Sequence, residues 1–302
     1  MNFKRFYRFL LMGLCCLAFS PQGKAQDFTW WNSIHNWDGH THWSRYIKLA
    51  PGFMGPNALP VPEINKGKLG SESSLQTAWE THFNPGDRTS NIYTRLYLPL
   101  ATNKVGLSLE LIPYERYHLN TTTRDARRVR DYDGTGSAFG DLYLGTHIQL
   151  LRNRRKLPDI SVSINLKTAS GNGLNAARFT DTPGYFFDLS MGKSFSIHNS
   201  VIDTIRPYTM LGLYVWQTYQ IDHYQNDCFL YGFGFDIESE KFIISNALTG
   251  YSGYIGDGDR PLVYRLTLQS QFEKYPNLSV RFQEGLSDFP YTSWRFSLIF
   301  KL

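Results

Sequence analysis

Cysteine is scarce: there are three in 302 residues. Two of them, Cys15 and Cys16, lie in the first 25 residues, so without that stretch only Cys228 remains and no intrachain disulfide framework is available. Long hydrophobic runs are also missing. No window reaches the roughly 18 uninterrupted apolar residues of a membrane-crossing helix, which excludes a helical transporter. An excess of one charge is lacking too. Lys4, Arg5, Arg8 and Lys24 supply most of the formal +5, and beyond them 27 basic residues face 26 acidic ones. That balance gives no basis for nucleic-acid binding. Neither a P-loop, nor G-x-G-x-x-G between a strand and a helix, nor G-x-S-x-G occurs, so no nucleotide cofactor is implied and no catalytic residue is assigned. Aromatic residues are plentiful at 16%, which excludes a disordered chain.

Residues 1–25 read as a secretory signal peptide. A basic start precedes an apolar stretch from Phe9 to Phe19, and Gly23-Lys24-Ala25 supplies small residues at cleavage spacing. Residues 26–74 show no period and form an N-terminal periplasmic or plugging segment. It contains Trp30, Trp31, Trp37 and Trp43, expected to pack on an inner wall, and a Pro/Gly run from Pro51 to Pro62.

From Leu75 to the C-terminus the chain alternates apolar and polar residues in twelve stretches, many about ten residues long. Leu75, Thr77, Trp79, Thr81 and Phe83 share one face, opposed by Gln76, Ala78, Glu80 and His82. Much later, Trp294, Phe296, Leu298, Phe300 and Leu302 oppose Arg295, Ser297 and Lys301. Period two is the mark of a strand with two different faces. The ninth stretch, 241–252, has ambiguous parity, because Asn246 shares a face with Phe242 and Ile244. Soluble sandwiches keep strands near five or six residues, whereas ten is the length of a tilted strand across a bilayer. Short and long connectors broadly alternate, and Tyr93, Tyr114, Tyr117, Tyr185, Trp216, Tyr251, Tyr254, Tyr264, Tyr291 and Trp294 cluster toward strand ends, as interfacial girdles do. The fold expected for residues 75–302 is an all-β, transmembrane antiparallel β-barrel of about 12 strands, placed in the bacterial outer membrane after export.

The run Gly140-Asp141-Leu142-Tyr143-Leu144-Gly145, the stretch Lys167-Thr168-Ala169-Ser170-Gly171 and the loop from Ala177 to Tyr185 resemble outer-membrane channel proteins associated with the meta-pathway of phenol degradation. Ala50-Pro51-Gly52 and the segment Pro56–Pro62 are similar to uncharacterised outer-membrane proteins of Bacteroidota. The resemblance spans residues 50–230. It implies a barrel with a transport role and transfers no catalytic residue.

On this parity the lumen carries Arg95, Glu110, Asp141, Lys167, Asp188, Arg206, Arg265, Arg281 and Arg295, because charge facing lipid near the midplane costs a few kcal/mol. Arg265, Arg281 and Arg295 lie on the last three strands, with Arg95 on strand two brought close by closure, and Glu110, Asp141 and Asp188 lie around the other side. Such walls favour small polar or amphipathic solutes. Pairing across a closed interior accounts for the same residues, and twelve strands leave both readings open. The function expected is passive solute passage. The alternatives are a lipid-modifying hydrolase, for which His82 and His147 show no evident serine partner, and a closed structural or adhesive barrel. His40-Thr41-His42 lacks a third metal ligand and Asp131-Tyr132-Asp133-Gly134 lacks a calcium loop's distal Glu, so no metal is assigned. Expected partners are outer-membrane lipid, a small-molecule solute and lipopolysaccharide, whose phosphates could meet Arg124, Arg127, Arg128 and Arg130.

Overall fold

The computed structural model describes residues 27–101, 104–197, 202–273 and 275–302. The secretory signal read in residues 1–25 lies outside them. The chain divides into two units, Met1–Trp37 and Asp38–Leu302. Of the first, residues 27–37 are described: a short helix, α1 (Thr29–Ile34), carries Trp30 and Trp31, and the Trp31 ring lies 5.0 Å from His35.

The second unit holds twelve long strands: β1 (Ser74–Asn84), β2 (Asp87–Leu100), β3 (Val105–Leu119), β4 (Tyr143–Leu151), β5 (Asp159–Lys167), β6 (Gly184–Gly192), β7 (Thr204–Gln217), β8 (Gln225–Glu238), β9 (Phe242–Ser252), β10 (Leu262–Ser270), β11 (Asn277–Ser287) and β12 (Thr292–Lys301). Each pairs antiparallel with its neighbours in the chain. The sheet closes on itself where β1 meets β12, in register from Ser74 opposite Lys301 to Phe83 opposite Thr292. Two short strands are appended, Thr135–Ala138 on β3 and Phe195–Ser196 on β7.

The alternation sorts the side chains as expected. Trp79 and Phe233 are 51% and 61% exposed, whereas Glu80 and Asp236 are buried. A closed barrel wearing Trp79, Leu98, Leu144, Phe187, Leu213, Phe233 and Leu298 on its outside is stable where that band meets hydrocarbon. The ambiguous stretch resolves as β9. Ser245 pairs with Asp236 and Ala247 with Arg265, so these face inward and Asn246 faces out, accepting a 2.8 Å hydrogen bond from the Tyr264 hydroxyl.

Connectors at one rim are mostly long, at 120–142, 168–183, 218–224, 253–261 and 288–291. At the other they are mostly short, and β1 begins and β12 ends there. The first long-rim connector is an exception, a tight Pro85-Gly86 turn. Gly86 is required because a Cβ would lie 1.6 Å from Oγ1 of Thr123, on helix α2 (Thr121–Ala126) of the next loop.

Five of the ten aromatics expected in the interfacial girdles do not lie there. Tyr93, Tyr117, Trp216, Tyr251 and Tyr291 are buried inside the barrel; Tyr114, Tyr185, Tyr254 and Trp294 are exposed. What they meet inside explains the departure.

Candidate functional site

Residues 43–72 run through the lumen from the long-loop rim to the short-turn rim. At the upper end Arg130 stacks over Trp43 at 5.3 Å, Lys48 bonds Asp257 at 2.9 Å and the Gly52 N–H donates to the Gly258 carbonyl at 3.0 Å. At the lower end the Leu302 N–H donates to the Ser73 carbonyl, immediately before β1. The segment contains a short 3-10 turn (Trp43–Tyr46) and no strand.

A buried chain without helix or strand must find partners for its backbone polar groups elsewhere. The barrel wall supplies them. Trp216 Nε1 donates to the Leu49 carbonyl at 3.0 Å and the Tyr251 hydroxyl to Leu59 at 2.9 Å, and the Tyr291 hydroxyl, which donates to Asp87, lies 3.2 Å from the Met54 carbonyl. Arg265 donates to the carbonyls of Val61 and Pro62, Arg206 to Lys66, Gln149 to Gly67 and Tyr97 to Gly70. Several of the inward aromatics and arginines are therefore hydrogen-bond donors for a captive peptide. Apolar side chains complete the seal at the long-loop half: Ile47, Leu49, Met54 and Leu59 pack in one core with Tyr214, Trp216 and Tyr251. The last three rings contact one another edge-on at 5.1–5.6 Å.

The arginines of the longest loop serve the same closure. Arg127 donates to Asp87 at 2.6 Å and to the Tyr291 hydroxyl at 2.8 Å, Arg124 donates to the Tyr132 carbonyl and Arg128 to the Tyr46 carbonyl. Beneath them Arg178, fully buried, places Nε 2.7 Å from Glu115 and Nη1 2.8 Å from Asp87. The Gly55 N–H donates to the Ala177 carbonyl, and a Cβ on Gly55 would lie 2.6 Å from the Arg178 guanidinium carbon. Only glycine lets the inner segment approach that loop so closely.

All nine lumen residues read from the sequence face inward, but they are not two opposed walls. Arg95 pairs with Glu110 on the adjacent strand at 3.0 Å. Asp141 and Lys167 form a fully buried pair at 2.7 Å, and Lys167 also donates to Thr180 and to the Thr182 carbonyl. The three sequence stretches that carried the resemblance thus meet at one knot. Asp188 accepts from Ser190, and Arg206 reaches Asp159 at 2.9 Å. Arg281 and Arg295 share Glu80 on the wall and Glu63 on the inner segment. Glu63, Lys66, Asp87, Glu115, Asp159 and Arg178 were absent from the sequence-derived set. A surplus of inward arginine over inward carboxylate on β10 to β12 was the available sign of an acidic partner elsewhere.

The lumen beside the segment is not filled, from Ser74 and Gln76 near the short-turn rim up to His82, Phe179 and Phe289 near the long loops. A cavity of about 440 Å³ lies against the segment, and a second of about 290 Å³ adjoins it, lined toward the rim by Gln269, Ser279 and Ser297. Glu63, Lys66, Arg95, Arg265, Arg281 and Arg295 line both. Enclosure pushes the Glu63 carboxyl up, but Arg281, Arg295, Arg265 and Arg95 together outweigh it and hold it well below the usual carboxylate range. A carboxylate lowered on folding contributes stability above its unfolded value, near pH 4.3, and loses it as pH falls through the folded value. The difference in thermal transition between the wild type and Glu63→Gln in detergent is therefore expected to stay constant from about pH 8 to about pH 5 and to narrow only in stronger acid. A gap that closes near neutrality would contradict this.

Contrary to the sequence reading, both strand histidines have serine partners. His82 Nδ1 lies 2.7 Å from Ser293 Oγ and Nε2 2.9 Å from Asn91 Oδ1; His147 lies 2.9 Å from Ser108 and from Ser163. The first set has the polarity of a nucleophile, base and orienting amide. Ser293 is only 2% exposed, however, so a substrate carbonyl has no approach to its oxygen. These contacts tie adjacent strands. His42 and Asp38 likewise have local roles: the His42 ring lies 2.8 Å from the Ser44 hydroxyl, and Asp38 accepts from the His40 and Thr41 backbones.

No family model and no curated protein matches this chain. Among solved structures it is similar to an outer membrane channel from Pseudomonas putida F1, at 12% identity over 80% of this chain and 100% of that one, with a TM-score of 0.53. The two share the fold of a closed antiparallel β-barrel. The KdgM porin (10% identity, 75% and 99% coverage) and the NanC porin (12%, 76% and 100%) also align, each at a TM-score of 0.46. The antiparallel barrel is the part of the motif resemblance that the structure bears out.

Proposed function

We propose that this chain is an outer-membrane diffusion channel for small polar or amphipathic solutes, held closed in this conformation by residues 43–72. The observation that carries the reading is the unfilled space beside the inner segment. Two cavities run beside the inner segment, bordered near the short-turn rim by Ser74, Gln76, Ser279 and Ser297, and along them the segment is fastened to the wall by hydrogen bonds and ion pairs. Such fastenings can be exchanged for water at little net cost, whereas the β-ladder behind them cannot. With residues 1–25 directing export, the apolar band sits in outer-membrane lipid, the long loops face outward, and the short-turn rim faces the periplasm.

Ion selectivity in this reading follows from Arg281 and Arg295. Replacing both by Glu reverses two charges beside the two cavities, and the reversal potential in planar bilayers under a salt gradient is expected to move toward cation preference. An unchanged reversal potential would remove these residues from the conduction path. Liposome swelling run beside an esterase assay tests the class as a whole: uptake without hydrolysis is expected, and hydrolysis lost in Ser293→Ala would replace the channel by an enzyme.

A further inference from the structure

We propose that Arg281 and Arg295 form a binding site for the carboxylate of a small amphipathic organic acid, and that Glu63 of the inner segment occupies this site as a built-in stand-in. The proposal rests on the channel reading above, since the acid would reach the site through the short-turn half of the lumen.

Both guanidinium groups meet one oxygen of Glu63: Arg295 Nη1 lies 3.1 Å from Oε1, and Arg281 Nη1 contacts the same atom. Their orientation does not depend on Glu63. Each is also held by Glu80, whose side chain is only 2% exposed, and the Arg295 guanidinium lies 3.9 Å from the centre of the Tyr93 ring. Two arginines fixed by a buried carboxylate and an aromatic face make a preorganised fork, the donor arrangement that suits carboxylates. The two acids on the fork differ. Glu80 belongs to the wall, whereas the Glu63 side chain is 59% exposed and borders both cavities, on a segment without regular structure. Glu63 is the partner a solute can replace.

Charge balance points the same way. Arg95, Arg265, Arg281 and Arg295 are gathered here, while Glu63, Glu80 and Glu110 are the carboxylates in contact with them. Withdrawing Glu63 would leave two positive charges unmatched in an enclosed space, a strong demand for an anion. The adjoining cavity adds Tyr93, Tyr97, Leu111 and Phe186, and its roughly 440 Å³ falls within the range of small-molecule pockets. The chemistry selected is one carboxylate joined to an apolar, ring-sized body.

The test is equilibrium binding of benzoate to the detergent-solubilised full chain, followed by ligand-observed NMR, with benzyl alcohol and inorganic phosphate as comparison probes. Glu63→Gln is expected to bind benzoate at least tenfold more tightly than the wild type, and adding Arg281→Gln is expected to abolish that gain. Folding of each variant is checked by heat-modifiable migration, and Arg281→Lys in the Glu63→Gln background, which keeps the charge, is expected to bind with intermediate strength. Equal affinity in wild type and Glu63→Gln overturns the stand-in role. Benzyl alcohol binding as well as benzoate overturns the carboxylate, and phosphate binding as well as benzoate overturns the organic acid. Because no current is measured, a failed conductance experiment removes the channel reading and leaves this result standing, and the converse holds equally.

Discussion

Removing residues 27–70 is expected to raise the single-channel conductance several-fold. The segment fills the lumen at the long-loop half, where Ile47, Leu49, Met54 and Leu59 pack against Tyr214, Trp216 and Tyr251, and nothing in the β1–β12 seam depends on it. In the shortened chain Arg265, Arg206, Tyr251 and Trp216 lose backbone acceptors but face water, which replaces those bonds. A barrel that still migrates as folded and conducts no better than the full chain would show that the loops alone close it. In that case Arg127, Arg178 and Tyr291 would become the gate.

The second large effect concerns Arg178. Its guanidinium is fully buried, bridges Glu115 and Asp87, donates to Thr89 and lies 5.0 Å from the centre of the Tyr117 ring. Burial disfavours its charge, yet Glu115 and Asp87 outweigh that and raise its pKa above the usual arginine value. Arg178→Met leaves two buried carboxylates short of a cation. Glu115 keeps Asn57, and Asp87 keeps Arg127 and Tyr291. Breaking one member of a buried ionic set costs about 3–5 kcal/mol, and that loss is expected in urea-unfolding midpoints of the detergent- or lipid-held barrel. Adding Glu115→Gln should recover part of it, because the orphaned charge is then gone. A loss below about 1 kcal/mol would mean that Arg127 suffices to neutralise the site.

The strands were legible in the sequence because each face meets a different medium. Period two therefore survives wherever a strand is regular. It failed where the backbone departs from regularity or where a polar group finds a private partner. In β3 the alternation stops at Leu111. Tyr93 of β2 lies opposite a bulge at Ile112 and Pro113, after which the phase inverts and Glu115 and Tyr117 face inward. In β9, Asn246 mimicked an inward residue because the Tyr264 hydroxyl satisfies its side-chain oxygen. The inward direction of the lumen charges was legible for the same reason as the strands, whereas their partners were not. Glu63 and Lys66 lie in a segment whose conformation is set by the wall around it rather than by its own repeat, so no period announces them. Tyr251, Tyr291 and Trp216 sit near strand ends like girdle residues, and only the peptide they hold distinguishes their role.

Trp43 sits at the long-loop rim and Ser74 at the opposite one, so the polypeptide crosses the barrel interior once before its first strand begins. A completed cylinder would have to admit that stretch, N-terminal end first, past side chains that already line its interior. Zipping β1 onto β12 around a peptide already in place requires no such passage. The inner segment is then enclosed in the same event that closes the last seam.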